Sequence, residues 1–190
     1  MISIIDYGMG NLGSVLNMLK RAGCKEASIT DDPNIIEKSN KIILPGVGYF
    51  DKAMESLNRK GLIPILEDKV LRDKTPIMGI CLGMQLLFSH SEEGDCSGLG
   101  WIKGNIKKFN FDEKEDKYLI PHMGWNIAKR NKESLNIKQI QAESRFYFVH
   151  SYYAVCTNEK DILMTTEYGN EFVSGVESNN ILGYQFHPEK

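Results

Sequence analysis

The sequence predicts an α/β protein with a central, mostly parallel sheet covered by helices on both faces and extended by antiparallel strands. Three observations predict it. Short apolar runs alternate with helical stripes through the first ninety residues, as parallel strands joined by crossover helices require. Beyond Ser91 the pattern changes to glycine clusters and strand-like runs with no helices between them. A chain of 190 residues is long enough to bury a core and too short for two full-sized domains, so residues 1–190 are expected to form one domain.

The elements follow in order. Residues 2–6 are a short apolar strand, and 11–22 carry Leu12, Val15, Leu16 and Leu19 at helical spacing, ended by Gly23. Residues 27–30 are a second strand. Asp31-Asp32-Pro33 opens a short helix, with acids near its N-terminus and proline in the first turn. Residues 41–44 are a third strand closed by Pro45-Gly46, and 51–59 and 63–71 are helices, the second with Pro64 in its first turn. A fourth strand, 75–81, runs directly into a helix over 82–88. Residues 110–117 form a charged, solvated excursion, and strand-like runs occupy 145–150, 152–155, 162–166, 172–176 and 181–186.

Composition excludes several functions. Twenty-three Lys and Arg against twenty-five Asp and Glu give a net charge of −2, so no basic excess exists to displace counterions from a nucleic acid. An apolar fraction of 42% with 25% charged residues is that of a globular chain. The longest apolar stretch, 76–88, is 13 residues broken by Gly79, Gly83 and Gln85, too short for a bilayer core of about 30 Å. The opening Met1-Ile2-Ser3-Ile4-Ile5-Asp6 lacks the basic start of a signal peptide. The expectation is an unexported, cytoplasmic protein without a membrane partner. Cys24, Cys81, Cys96 and Cys156 lie far apart without a CxxC pair, and are expected to be free thiols. None of His90, His122, His150 and His187 has zinc-site spacing, so neither a metal nor another cofactor is expected.

Ligands of parallel sheets gather at the carboxyl ends of the strands, and four segments there carry chemistry. Gly8-Met9-Gly10-Asn11-Leu12-Gly13 fits G-x-G-x-x-G between a strand and a helix, with Asp31 and Asp32 about twenty residues on, the pattern of a dinucleotide site. The alternative is a glycine-rich turn that allows close packing or faces a partner. Against the cofactor, Asp6-Tyr7 separates the first glycine from the apolar strand, and no length remains for a second substrate-binding half.

Gly79-Ile80-Cys81-Leu82-Gly83 is the nucleophile-elbow pattern with sulfur in place of oxygen. Cys81 falls in a tight strand-to-helix turn whose neighbours must be small. The helix N-terminus favours its thiolate, and the Leu82 amide faces the place where an oxyanion would form. The alternative is a buried structural cysteine. Pro45-Gly46-Val47-Gly48 offers a second main-chain donor beside the first, or simply a turn. In the terminal Phe186-His187-Pro188-Glu189, positions i and i+2 of an extended segment face the same way, roughly 6.6–6.8 Å apart, so Glu189 reaches the ring of His187. A carboxylate-held histidine is the base half of a triad and Cys81 the nucleophile half; a lone His-Pro-Glu would be a surface turn.

These motifs resemble the class I, triad-type glutamine amidotransferases over essentially the whole chain, which implies a flavodoxin-like fold. Together with Pro121-His122-Met123-Gly124-Trp125-Asn126 and Phe148-Val149-His150-Ser151-Tyr152, they are similar to the branch that supplies the glutaminase subunits of imidazole glycerol phosphate synthases. The resemblance implies hydrolysis of L-glutamine through a Cys81 thioester, with His187 as acid and base and Glu189 orienting it. Val47, Gly48 and Leu82 would meet the oxyanion, and Gln85, Ser151 and Tyr152 would bind substrate. It implies a heterodimer with a (β/α)₈ synthase subunit that takes the ammonia for histidine biosynthesis, contacted near Asn11, Met123, Trp125, Tyr147 and Lys190. An exposed Trp and Met serve as interface anchors, while the same residues are ordinary in a core. Relatives that feed ammonia to surface-sugar amidotransferases resemble this branch closely, and the Asp6–Asn11 opening does not exclude them, so the acceptor stays open. Family members continue past Lys190 into a C-terminal helix, which leaves Glu189 expected on a weakly anchored end.

Overall fold

The computed structural model describes residues 1–111 and 118–190; of the charged excursion expected at 110–117, residues 112–117 lie outside the described residues. Phe111, beside it, stacks on Phe109 with ring centroids 5.3 Å apart. Strands β1 (Ile2–Ile5), β2 (Ala27–Thr30), β3 (Lys41–Gly46) and β4 (Ile77–Cys81) are parallel and lie in the order β2-β1-β3-β4. Helices α1 (Leu12–Arg21), α2 (Pro33–Glu37), α3 (Phe50–Arg59) and α4 (Leu62–Glu67) connect them, and α5 (Leu82–Leu86) follows β4 without a gap. The period of two along the strands sorts the core. Ile4, Ile43 and Ile80 face Val15, Leu12, Leu16 and Leu19 of α1. Ile5, Ile42 and Leu44 face the other way, against Ile36, Phe50, Leu57 and Leu62 of α2, α3 and α4. Burying each such side chain contributes about 1.5–3 kcal/mol.

Local chemistry sets the helix starts. The Asn11 side chain accepts from the Ser14 amide at 3.3 Å, and Asp32 accepts from the Asn34 amide at 2.9 Å, with Pro33 in the first turn. The helix expected over 63–71 is α only over Leu62–Glu67 and widens to a π-turn at Asp68–Arg72, where the Asp73 amide reaches the Asp68 carbonyl at 3.0 Å. The helix expected over 82–88 stops at Leu86. The carbonyls of Leu86, Leu87 and Phe88 accept from the amides of Leu99, Ile102 and Gly100 at 2.8–3.0 Å, so backbone acceptors a longer helix would use belong to another segment. Phe88 instead opens β5 (Phe88–Ser91).

The second half adds β6 (Cys96–Ser97), β7 (Ile102–Lys108), β8 (His122–Arg130), β9 (Glu143–His150), β10 (Tyr152–Cys156), β11 (Ile162–Tyr168), β12 (Asn170–Ser178) and β13 (Ile181–Tyr184). Apart from β5 on β7 and β13 on β4, which are parallel, these strands pair antiparallel. Strands β7 and β8 were not expected from the sequence. In β7, Ile102, Gly104 and Ile106 point inward between exposed Lys103 and Asn105, and the central glycine hides the alternation. In β8 the large apolar residues Met123, Trp125 and Ile127 point outward, which inverts it. Strand β13 decides the function: it lies parallel to β4 with Tyr184 opposite Ile80, and so delivers the last residues of the chain to the end of the strand that carries Cys81.

Candidate active site

The elbow is built by steric exclusion. Cys81 has φ 54° and ψ −113°, a strained conformation for a residue with a Cβ, costing of order 1–3 kcal/mol, that survives only where its surroundings fix it. A Cβ at Gly79 would lie 2.7 Å from the Gly83 carbonyl oxygen and the Met84 backbone, and one at Gly83 would overlap the Leu44 carbonyl oxygen of β3. Both positions two away from the nucleophile must therefore be glycine. Leu82 is the first residue of α5, where an amide has no helical acceptor.

The terminal segment meets this elbow. His187 bridges to Tyr147 of β9, its amide donating to the Tyr147 carbonyl at 2.9 Å. Glu189 Oε1 lies 2.8 Å from His187 Nδ1, and the two side chains are only 5% and 6% exposed. The contact is not made by an extended strand, as the sequence suggested. It is made by a turn in which the Lys190 amide donates to the His187 carbonyl at 3.3 Å, with Pro188 in the second position where its fixed φ suits. Nor is the end weakly anchored: Phe186 is buried and stacks on Phe146 at 3.9 Å between centroids. Burial works against a charged His187, but Cys81 and Glu189 outweigh it by hydrogen bonding and charge and push its pKa up to about 9. The ring is thus protonated at neutral pH. Its Nε2, the ring nitrogen that Glu189 leaves free, is buried.

A cavity of about 390 Å³ opens over the sulfur, lined by Cys81 and by Val47, Gly48, Leu82, Gln85, Ser151 and Tyr152; His187 and Glu189 stand behind the sulfur and do not line it. Glu93 also lines it and was not anticipated; in the run Glu92-Glu93-Gly94-Asp95 nothing distinguishes it from a solvated turn. Its Oε2 accepts from the Phe50 amide at 3.0 Å, capping α3 from a distance. Burial pushes its carboxyl up, and the Phe50 amide pulls it back in part. A half-buried carboxylate at the mouth of a pocket suits a cationic group. Glu93→Gln is expected to raise KM for an α-ammonium substrate about tenfold to a hundredfold with a smaller effect on kcat; steady-state kinetics checks it, and an unchanged KM would remove Glu93 from substrate binding.

A directed polar chain holds the floor. The Tyr152 carbonyl accepts from His150 Nδ1 at 2.8 Å, so His150 Nε2 accepts from His122 Nδ1 at 3.0 Å, and His122 Nε2 accepts from Asn126 Nδ2 at 3.3 Å. Burial pushes both histidines down, to about 3 for His150 and about 4 for His122, and leaves them neutral as this chain requires. Gln85 Nε2 donates to the same Tyr152 carbonyl at 3.1 Å and to Gln185 Oε1 at 2.8 Å. Gln85, expected to touch substrate, is therefore also a buried strut. Gln185 was missed, although a polar residue inside the apolar run 181–186 was a visible signal.

The glycine-rich turn at 8–13 packs against the segment 46–48 of this site. A Cβ at Gly10 would lie 3.4 Å from the Gly46 backbone, and one at Gly48 would lie 2.9 Å from the Met9 methyl. Gly13 approaches nothing within 4 Å, whereas the third glycine of a dinucleotide site exists for close helix–strand packing. Met123 and Trp125 are 62% and 54% exposed, not core. Trp125 pairs with Tyr147 in register, and Lys190 Nζ sits 4.4 Å over the Tyr147 ring. Four of the five expected contact residues thus share one face behind His187. Asn11 is spent on capping α1 and is not among the contacts of that cluster.

A family model for class-I glutamine amidotransferases matches residues 3–190. The chain is 55% identical to imidazole glycerol phosphate synthase subunit HisH 2 of Methanococcus maripaludis, with all of this chain and 92% of that protein covered. It is 48% identical to the subunit of the same name from Pseudomonas aeruginosa, with the same coverage, and 47% identical to subunit HisH of Sulfurimonas denitrificans, covering 100% of this chain and 91% of that one. Among solved structures, one described as a glutamine amidotransferase superposes with a TM-score of 0.74 at 16% identity, over 99% of this chain and 90% of the other. The glutaminase domain of a Trypanosoma brucei CTPS superposes with a TM-score of 0.67 at 17% identity, over 99% and 85%; at such identities the likeness is one of fold. With a match over nearly its whole length and the elbow, the paired histidine and the pocket in place, the chain belongs to the class-I glutamine amidotransferase family.

Proposed function

We propose that the chain is the glutaminase subunit of an imidazole glycerol phosphate synthase, hydrolysing L-glutamine at Cys81 and passing ammonia to a (β/α)₈ synthase subunit. The observation that carries the reading is the convergence of Cys81, on its strained elbow at the pocket, with the His187–Glu189 pair beside it. Cys81 Sγ attacks the side-chain amide carbon of glutamine. The resulting oxyanion takes the Leu82 amide and a main-chain donor from residues 47–48. The His187 imidazolium gives its proton to the departing ammonia, which leaves a γ-glutamyl thioester. The neutral ring then takes a proton from water, whose oxygen attacks the thioester, and Cys81 and glutamate are released. Glu189 fixes the ring's orientation and balances its charge. Glu93 takes the α-ammonium of the substrate, and Ser151, Tyr152 and Gly48 take its α-carboxylate. The exposed face of Met123, Trp125, Tyr147 and Lys190 is the docking surface for the synthase subunit.

Intact-mass spectrometry after treatment with a glutamine-like electrophile tests the site. One adduct is expected, mapping to Cys81, suppressed by glutamine and absent from Cys81→Ala. No adduct with or without a synthase subunit present would overturn the reading. A second reading has the same glutaminase chemistry serving another acceptor, a surface-sugar amidotransferase. Titrating the chain with each synthase and following glutamate release separates the two, because only the true partner accelerates it.

A further inference from the structure

The proposed mechanism leaves one buried polar side chain beside the nucleophile unused. Gln185 is 0% exposed and stands two residues before His187. Its amide is oriented by its partners. The Tyr152 carbonyl can only accept, so the Gln85 group facing it is Nε2, which donates at 3.1 Å. The same Nε2 lies 2.8 Å from Gln185, so the Gln185 atom there is the oxygen. That turns Gln185 Nε2 towards Cys81 Sγ, 3.8 Å away.

On the other side the sulfur meets the Val149 carbonyl at 3.9 Å. The two neighbours have opposite preferences. A carbonyl accepts from a thiol and repels a thiolate; an amide N–H stabilises a thiolate and gains less from a thiol. When Cys81 loses its proton, the Val149 contact is lost and the Gln185 contact strengthens.

Resting on the glutaminase reading for the chemistry Cys81 performs, we infer that Gln185 is a fourth member of the catalytic centre, donating to the nucleophile's sulfur and locking Gln85 and the Tyr152 carbonyl into the same array. Its donor stabilises the thiolate before attack and after the thioester is cleaved, when sulfur leaves as an anion. The backbone supports this assignment: the Gln185 amide is held by the Ser174 carbonyl of β12 at 3.0 Å, so the side chain projects from a fixed point in the sheet.

The test follows the pH dependence of Cys81 alkylation by iodoacetamide, read by peptide mapping to separate it from Cys24, Cys96 and Cys156, on the full chain. Alkylation reports thiolate whatever substrate the centre takes, so failure of the glutaminase reading would appear as absent glutamate release with the alkylation result intact. In Gln185→Met, which keeps length and removes both polar atoms, the profile is expected to move to higher pH, with Cys81 alkylation at neutral pH falling about tenfold. Gln185→Glu keeps the shape and places an acceptor, or a negative charge, against the sulfur; its fall is expected to be larger, and it keeps the test available if the methionine variant does not fold. Glutaminase kcat is expected to fall with alkylation in both. Folded variants with lower thermal stability and an unchanged alkylation profile would make Gln185 a structural residue and overturn the assignment.

Discussion

Cys81→Ala is expected to lower glutamate release by about 10⁴-fold or more, the loss seen when the nucleophile of a covalent centre is removed, while free ammonia still supports the partner synthase. The size follows from the division of labour at the site. Without the sulfur no thioester forms, and the Leu82 amide, the residues 47–48 donor and the pocket are left to favour direct attack by water on an amide. The His187–Glu189 contact at 2.8 Å is expected to persist, because the Tyr147 carbonyl and the Phe146–Phe186 stack hold the segment independently of Cys81. The variant should therefore melt near the parent and bind glutamine. Coupled assays with glutamine and with ammonium as nitrogen source, run on the reconstituted pair, check both halves. Residual glutaminase activity above a thousandth of the parent's would exclude Cys81 as nucleophile, and loss of the ammonia-dependent reaction would show that Cys81 also supports the partner.

The legible part of this centre is the part that backbone geometry imposes on residue type. Gly79 and Gly83 are glycine because a Cβ at either meets main-chain atoms, so the elbow could be read from five letters. The alternation of strands and helices to residue 81 was legible because β3 and β4 are apolar on both faces and β1 nearly so. Glu93 was not, because what brings it to the pocket is the arrest of α5 at Leu86 by the amides of Leu99, Gly100 and Ile102, a non-local event. The exposed face on β8 inverts the usual alternation, since Met123 and Trp125 point outward; residue types alone left them equally suited to a core or an interface. Gln185 was hidden for a different reason: its neighbours in the array, Gln85 and Tyr152, lie 100 and about 30 residues away in sequence and meet only because β13 returns beside β4.

The same reasoning makes glycine substitutions a sharp test of the fold's chemistry, because two glycines of two recognisable motifs should behave oppositely. Gly83→Ala places its Cβ on the Leu44 carbonyl oxygen. The obstacle is backbone of a central strand, with no side chain that can rotate away, so α5 must lift from β3. Overpacking a core costs about 1–3 kcal/mol even where side chains adjust, and this site is expected to exceed that range. Against the ~5–15 kcal/mol that holds a domain together, and at about 2–4 °C per kcal/mol for a chain of this size, the melting temperature is expected to drop by at least ~10 °C. Activity should fall further than stability, since the lift displaces the Leu82 amide and reorients Cys81. Gly13→Ala is the contrast. Its Cβ meets nothing within 4 Å, its φ is not in the left-handed region, and it lies in the first turn of α1. Removing glycine's backbone freedom there should stabilise the chain by up to about 1 kcal/mol and leave glutaminase activity unchanged. Thermal melts and glutamate release on the two variants decide the matter. A tolerated Gly83→Ala would mean that the elbow is looser than steric exclusion requires. An inactive Gly13→Ala would return the turn at 8–13 to the list of functional surfaces.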